Sequence, residues 1–146
     1  MKAVVQRVKQ ASVKIDNNLI SEINKGIVVL IAFSDSDNID TIKWFANKLI
    51  NLRIFNDENN KLNKSVLDLN GDILIVSNFT IYGCARKGFR PSFIDSASPE
   101  IARKIYNEFI DYIKNNYNLK IYSGEFGAMM DISLINDGPV TLIIEK

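Results

Sequence analysis

The longest apolar run in the chain is Gly26-Ile-Val-Val-Leu-Ile-Ala-Phe33. It has the length of a buried strand and is far too short to cross a bilayer, which takes about 20 apolar residues. Hairpin-joined strands and two helices are expected around it. "KAVVQRV" and "ASVKI" read as short strands. Asp16-Asn17-Asn18 reads as a turn, after which "LISEI" pairs back. Asn24-Lys25-Gly26 is a second turn, leading into the long run. Ser34 to Asn38 form a polar loop with candidate N-caps. Ile42, Phe45, Ala46, Leu49 and Ile50 then recur at helical spacing. "LRIF" is expected as a short strand, "NDENNK" as a loop tip and "DILIVSNFTIY" as the central strand. In "SASPE", Ser98 suits an N-cap, Pro99 the first helical position and Glu100 the positive helix end. Ile101, Ile105, Phe109 and Ile113 are expected as the buried stripe of that helix. Two last strands, "MMDISLI" and "VTLIIEK", flank "NDGP". The expected fold class is α+β, a single domain over residues 1–146 with largely antiparallel sheets packed on two main helices.

Composition narrows the chemistry. The chain has 146 residues, enough for a real core, and 47% of them are hydrophobic, the globular share. No repeat, linker or low-complexity segment interrupts it. Met1-Lys2 leads straight into a strand pattern without an apolar leader, and Cys84 is the only cysteine, so a cytoplasmic location is expected. The formal net charge of +1 neither demands nor excludes nucleic acid, because a local basic patch can act on a neutral protein. There are no histidines. A Ser-His-Asp triad, a Cys-His pair and a His-ligated zinc site are therefore impossible, and one cysteine cannot build a thiolate zinc site.

Three stretches break the rules of their own elements, which is where function often sits. In the first, Ser77-Asn78-Phe79-Thr80 ends the apolar central strand. These residues could satisfy local backbone groups, or their N–H groups could face a reacting carbonyl as an oxyanion hole. Thr80 as a nucleophile would need an activating base, and no acid or histidine lies nearby in sequence. Positioning is the better reading for it. In the second, Arg86-Lys87-Gly88-Phe89-Arg90-Pro91 sets three cations around one aromatic, suited to an RNA backbone and a stacked base, or to a solvated loop. The third is "SGEFGAMMD" followed by "NDGPVT". Phe126, between Gly124 and Gly127, and Met130 could belong to the core or line an apolar slot for a flat ring. Pro139 after Gly138 could be a turn with a rigid exit, or a backbone shape made for recognition.

Taken together, "SNFTIY", "RKGFRPSF" and "NDGPVT" resemble the paired motifs of the bacterial and eukaryotic D-aminoacyl-tRNA deacylase family. "VVQRVKQASV", "NLRIFNDENNKLNKSVLD" and "FGAMMDISLINDGPVT" are similar to the same family in order and spacing, over essentially the whole chain. The resemblance implies a barrel-like α+β fold. It also implies hydrolysis of the ester between a D-amino acid and the 3′-terminal adenosine of tRNA, and removal of glycine from mischarged tRNA. It implies a homodimer without metal or organic cofactor. A cis Gly138–Pro139 peptide would reach into the partner's active site and exclude L-residues. Ser77, Phe79 and Thr80 match the first motif, Gly138 and Pro139 the second. Arg7 matches an arginine that braces the Gly-Pro segment. Phe126, Gly127 and Met130 match the pocket for the terminal adenine. Asn78 stands where the family usually has Gln, Gly83-Cys84-Ala85 replaces a pattern with an aspartate, and Met129 stands where an aspartate is frequent.

An aminoacyl ester is already activated, so positioning and backbone electrostatics can carry the rate. One oxyanion donor is worth on the order of 3–4 kcal/mol, and placement of a water adds several more. The expected donors are the N–H groups of Phe79 and Thr80, with the ribose 2′-hydroxyl of the tRNA orienting or activating the water. Arg86, Lys87 and Arg90 are the expected RNA contacts. Two other functions stay open at the level of sequence: a non-enzymatic RNA-binding module, and a sister deacylase with relaxed chirality.

Overall fold

The computed structural model describes residues 1–146. The first strand, β1 (Lys2–Ile15), is 14 residues long, so the two short strands expected there are one. It turns at Asp16 and Asn17, both at positive φ, and β2 (Asn18–Ile23) pairs back onto its second half. Asp and Asn tolerate the left-handed region better than other side chains, which is why this tight turn takes them. The apolar run forms β3 (Gly26–Ala32), antiparallel to the first half of β1.

Helix α1 (Ile39–Ile50) is capped by Asn38, whose side chain accepts from the N–H groups of Asp40 and Thr41. It buries the five residues expected from their spacing: Ile42, Phe45, Ala46, Leu49 and Ile50. The "LRIF" stretch is only partly a strand. Leu52 to Ile54 are irregular, and β4 (Phe55–Asn56) makes a small hairpin with β5 (Leu62–Lys64).

The central strand is shorter than expected. β6 (Asp72–Ser77) stops at Ser77, and Phe79–Tyr82 form a 3₁₀ turn instead of continuing. Asn78 at φ −147° and ψ 86° is where the chain leaves the sheet. Helix α2 (Pro99–Asn116) begins as expected, with Ser98 as N-cap and Pro99 in its first turn. Its buried face is Ala102, Ile105, Tyr106, Phe109, Ile110 and Ile113, whereas Ile101 faces solvent. A strict four-residue repeat drifts around a helix of 3.6 residues per turn, so the first member of the expected stripe rotates off the core.

β7 (Ile121–Ser123) and β8 (Asp131–Glu145) complete the sheet. The two strands expected around "NDGP" are one 15-residue strand, and "NDGP" is an excursion within it, not a hairpin turn. β8 runs antiparallel to β1 on both sides of the excursion. Gln6 pairs with Thr141 and Val8 with Asn136, so Asp137-Gly138-Pro139-Val140 bulge out opposite Arg7 alone.

The sheet order is β2-β1-β3-β6-β7, with β8 on the other side of β1. β3–β6 and β6–β7 are parallel pairs, so the sheet is mixed, which the hairpin-rich pattern did not indicate. The long β1 pairs with β3 through one half and β2 through the other, and the sheet curls back on itself. The Ser21 hydroxyl, on β2, donates to the Ser123 carbonyl on β7 at 2.7 Å and nearly closes a barrel. The barrel interior holds Val8, Ala11, Val13, Ile23, Val28, Leu74 and Val76. The alternate residues Ile27, Val29, Ile31, Ile73 and Ile75 face the other way, into the larger core under both helices. β3 and β6 are thus apolar on both faces, as strands covered on both sides must be. No helix is long and apolar enough to cross a membrane.

Candidate active site

The three parallel strands β3, β6 and β7 run out at the same end of the sheet. Ser77 pairs with Ile31 on β3, and Ser123 pairs with Ile75 on β6. The Ser77–Thr80 segment and the Gly124–Met130 loop therefore leave adjacent strands side by side. Crevices outside the carboxyl ends of parallel strands are common ligand sites.

At the first segment, the Asn78 N–H donates to the Ile31 carbonyl at 2.7 Å, which fixes where the chain turns away. The 3₁₀ turn is then closed by Ile81 N–H to the Asn78 carbonyl and Gly83 N–H to the Thr80 carbonyl. A helical turn leaves its first N–H groups without partners. Here these belong to Phe79 and Thr80, and neither donates in any turn, loop or cap hydrogen bond. The Thr80 hydroxyl donates to the Asn78 side-chain oxygen at 2.5 Å. Within the chain its proton goes to that amide oxygen and not to a carboxylate or amine. Asn78 has a definite task despite its short amide: it holds that hydroxyl. The Phe79 ring is 57% exposed and meets Phe93 edge-on, centroids 5.2 Å apart.

The second segment combines apolar and cationic groups. Phe126 is half-buried and tilted against Tyr106, centroids 5.7 Å apart. The Arg103 guanidinium carbon lies over its ring at 4.8 Å from the centroid. Met130 packs towards the barrel interior and closes on Gly124, where a Cβ would come within 2.5 Å of the Met130 sulfur. Met129 points out to solvent. Tyr106 anchors this loop to the strand beside it. Its hydroxyl donates to the Ile75 carbonyl at 3.0 Å and lies 3.4 Å from the Gly124 carbonyl. Burial pushes the Tyr106 hydroxyl up to about 12.

Arg7 is buried beneath the excursion in β8. Its Nε donates to the Asp137 carbonyl at 2.8 Å, and its Nη1 donates to the Ile54 carbonyl at 2.6 Å and to Asn56 Oδ1 at 3.2 Å. The Asp137 carboxylate lies 3.4 Å from Nε. Arg7 thus ties the β8 excursion to the β4–β5 hairpin. The Gly138–Pro139 peptide is cis. Gly138 has φ +131°, and a Cβ there would come within 3.0 Å of the Arg7 guanidinium and of Val140.

Within one chain, the two motifs are apart. Gly138 and Pro139 sit opposite Arg7, which pairs with Ile27, whereas Ser77 pairs with Ile31. Four residues along β3 and three strand spacings across the sheet separate them, about 20 Å in all. The basic loop is exposed. Cys84 and Ser92 pin its base with two backbone hydrogen bonds, and Arg86, Lys87 and Arg90 extend from it without a carboxylate partner. Phe89 at its tip is fully exposed.

Sequence reading missed Arg103, Tyr106 and Asn56. Tyr106 lies outside the expected stripe of Ile101, Ile105, Phe109 and Ile113, and Arg103 falls in no motif. Nothing local in the sequence announces that either meets Phe126.

Comparison with known proteins identifies the family. The model of the D-Tyr-tRNA(Tyr) deacylase family matches residues 4–145. The chain belongs to that family. Among curated relatives, the D-aminoacyl-tRNA deacylase of Thermosipho africanus is 54% identical over 146 residues, 100% of this chain and 97% of the relative. Those of Clostridium novyi and Petrotoga mobilis are 52% and 50% identical with the same coverage. A solved structure titled c-Myc DNA Unwinding Element Binding Protein superposes with a TM-score of 0.95 at 42% identity, covering 100% of this chain and 99% of that one. A probable eukaryotic D-amino acid tRNA deacylase superposes at 0.85 and 20% identity over 98% of this chain and 97% of that one, which supports the fold. The chain is accordingly a hydrolase of the aminoacyl-tRNA ester bond, as its motifs led one to expect.

Proposed function

We propose that this deacylase acts on D-aminoacyl-tRNA and on mischarged glycyl-tRNA, with the Ser77–Thr80 turn as its reaction centre. The observation that carries this reading is the pair of unpartnered N–H groups on Phe79 and Thr80 at the carboxyl end of β6. Two neighbouring free donors suit the oxygen of a tetrahedral intermediate. The Phe126, Gly127 and Met130 loop beside them takes the terminal adenine. Asn78 holds Thr80 in place, and Ser77 ends the strand at the required point. The ribose 2′-hydroxyl next to the ester orients the attacking water, since the chain has no histidine to do so.

In this reading the Gly138–Pro139 excursion is a chirality gate working in trans. The separation of about 20 Å along the sheet keeps it from the Phe79 turn of its own chain. A homodimer brings it to the second copy's turn. The outer edge of β8 is the supporting feature: it is unpaired over 15 residues and carries exposed Ile135, Leu142 and Ile143. A long apolar edge of this kind needs a cover.

The deciding assay is deacylation of matched D-, L- and glycyl-tRNAs. Hydrolysis of the D- and glycyl-esters with the L-ester spared is expected. Rapid L-hydrolysis would mean a relaxed sister enzyme, and binding without ester cleavage would leave only a nucleic-acid-binding role for the exposed Arg86–Arg90 tip. A tRNA ending in 2′-deoxyadenosine, charged on its 3′-hydroxyl, should be cleaved much more slowly. Undiminished cleavage would remove the 2′-hydroxyl from the mechanism.

A further inference from the structure

Helix α2 carries a polar face that the reaction centre does not use. Arg103, Asn107, Asp111 and Lys114 follow at spacings of four, four and three residues, so they line one side of the helix. Together with Glu125 and Phe126 they wall an open groove with a volume of about 450 Å³. Phe126 is shared between this groove and the slot for the terminal adenine. Arg103 stands at the junction, with one guanidinium nitrogen 3.6 Å from where a Cβ of Gly127 would be.

We propose that this groove seats the sugar–phosphate backbone of the nucleotides preceding the terminal adenosine, with Arg103 as the phosphate contact at its mouth. The inference rests on the adenine-slot reading above and extends it. Arg103 is exposed and pairs with no carboxylate, and Lys114 is likewise unpaired. A guanidinium whose carbon covers a ring keeps its N–H donors around its edge, free for a bidentate phosphate. Phe126 thus fixes the cation without consuming its hydrogen bonds. From Arg103 to Lys114 the helix rises about 16 Å, long enough for more than one nucleotide. Asp111 and Glu125 sit in the same groove and limit its attraction for free anions. A strand already anchored by its adenine presents its phosphate to Arg103 at high local concentration.

The test compares three substrates carrying the same D-amino acid: the 3′-ester of adenosine, the 3′-ester of the trinucleotide CCA, and full-length tRNA. The reading is the ratio of KM for the trinucleotide to KM for the adenosine ester. Arg103→Gln should raise that ratio about tenfold, the worth of one charge-assisted contact. It should also flatten the salt dependence on the trinucleotide by about 0.7 in the log–log slope, the share of one phosphate on a single strand. Arg103→Lys should restore part of both. An unchanged ratio with KM raised equally on both short substrates would overturn the proposal, because Arg103 would then only hold Phe126. No change on any substrate would overturn it too. A wild-type protein inactive on all three would instead overturn the deacylase reading on which the groove depends.

Discussion

Arg7→Ala is the most informative single change. In the folded chain Arg7 donates to the carbonyls of Asp137 and Ile54 and to the side chain of Asn56, and it pairs with the Asp137 carboxylate. Removing one partner of a buried pair costs about 3–5 kcal/mol. The Asp137 side chain is 29% exposed, so water can take over part of its solvation and the low end applies. Ile54 is buried, and its carbonyl left without a donor costs about 1–3 kcal/mol by itself. These losses overlap, and a destabilisation of about 3 kcal/mol is expected. For a chain of this size that lowers Tm by about 6–12 °C. Urea unfolding of the wild type and the variant measures it directly.

The functional consequence is separate from the stability loss. Without Arg7, the Asp137–Val140 excursion is no longer tied to the β4–β5 hairpin, and the gate should lose its fixed orientation. The ratio of deacylation rates on D-Tyr-tRNA and L-Tyr-tRNA should therefore shrink at a temperature where the variant is still folded. Arg7→Lys is the control: one ammonium keeps the charge but cannot span both sides as the planar fork does. It should be intermediate in stability and discrimination. A variant within about 0.5 kcal/mol of wild type would show that the bonds to Arg7 are replaced by water at no cost, since surface changes typically stay within that range. A destabilised variant with an unchanged D/L ratio would sever the tether from the gate.

Replacing Arg86, Lys87 and Arg90 together with Ala should raise KM on tRNA and flatten its salt dependence by up to about 2 in slope, and a wild-type slope would make the loop ordinary surface. Thr80→Ala should keep substantial activity, because the backbone N–H survives; trapping an aminoacyl adduct on Thr80 would revive covalent catalysis. Gly124→Ala should cost less than about 1 kcal/mol by unfolding, because its Cβ meets the sulfur of the flexible Met130 side chain, which can swing aside; a loss of about 3 kcal/mol would show that Met130 cannot move. Burial raises the Tyr106 hydroxyl from 10.0 to about 12, so the folded state holds its proton longer than the unfolded state. Stability from this group is complete below pH about 10 and is lost as pH rises towards about 12, and Tyr106→Phe should abolish that loss in pH-dependent melts.

The sequence showed the apolar framework clearly and the geometry of exceptions poorly. The buried face of helix α1 was legible, because five apolar positions recur at helical spacing, while its cap was narrowed only to the loop Ser34 to Asn38, of which the structure uses Asn38. The failures share a cause. "DILIVSNFTIY" is apolar enough to read as a single strand, yet the ladder to β3 ends with the Asn78 N–H on Ile31, and the chain then turns into the 3₁₀ turn with Phe79 and Thr80 unpaired. "NDGP" carries every signal of a hairpin turn, yet both flanks pair with the same long β1, a non-local fact that no short window contains. Parallel pairing of β3, β6 and β7 was hidden for the same reason. The rule-breaking stretches around Ser77–Thr80, Arg86–Arg90, Phe126 and Gly138-Pro139 stood out in the sequence itself, but Arg7 and the roles expected of the motif residues came only through family resemblance. Arg103 and Tyr106 carry no such mark, because their importance comes from which loop the helix packs against.

The placement of the two proposed functional segments follows from where this barrel has spare backbone groups. A strand interior has none, since each N–H and C=O is committed to a neighbour. Apart from the free outer edge of β8, the fold creates exceptions at two points, by ending β6 in a 3₁₀ turn and by bulging four residues of β8 opposite Arg7. One exposes donors, at Phe79 and Thr80, and the other exposes a glycine and a proline that no sheet can use. Donors of this kind act on any ester carbonyl and are blind to chirality. Discrimination must then come from a second, rigid element that crowds the substituents around the reacting carbon. Arg7 is buried under that element and bonded on three sides, an arrangement suited to rigidity rather than to chemistry. Under the proposed function, separating a rate-giving turn from a selecting excursion lets each be built from backbone alone, a division of labour by which a chain with no histidine would cleave an ester and still choose which one.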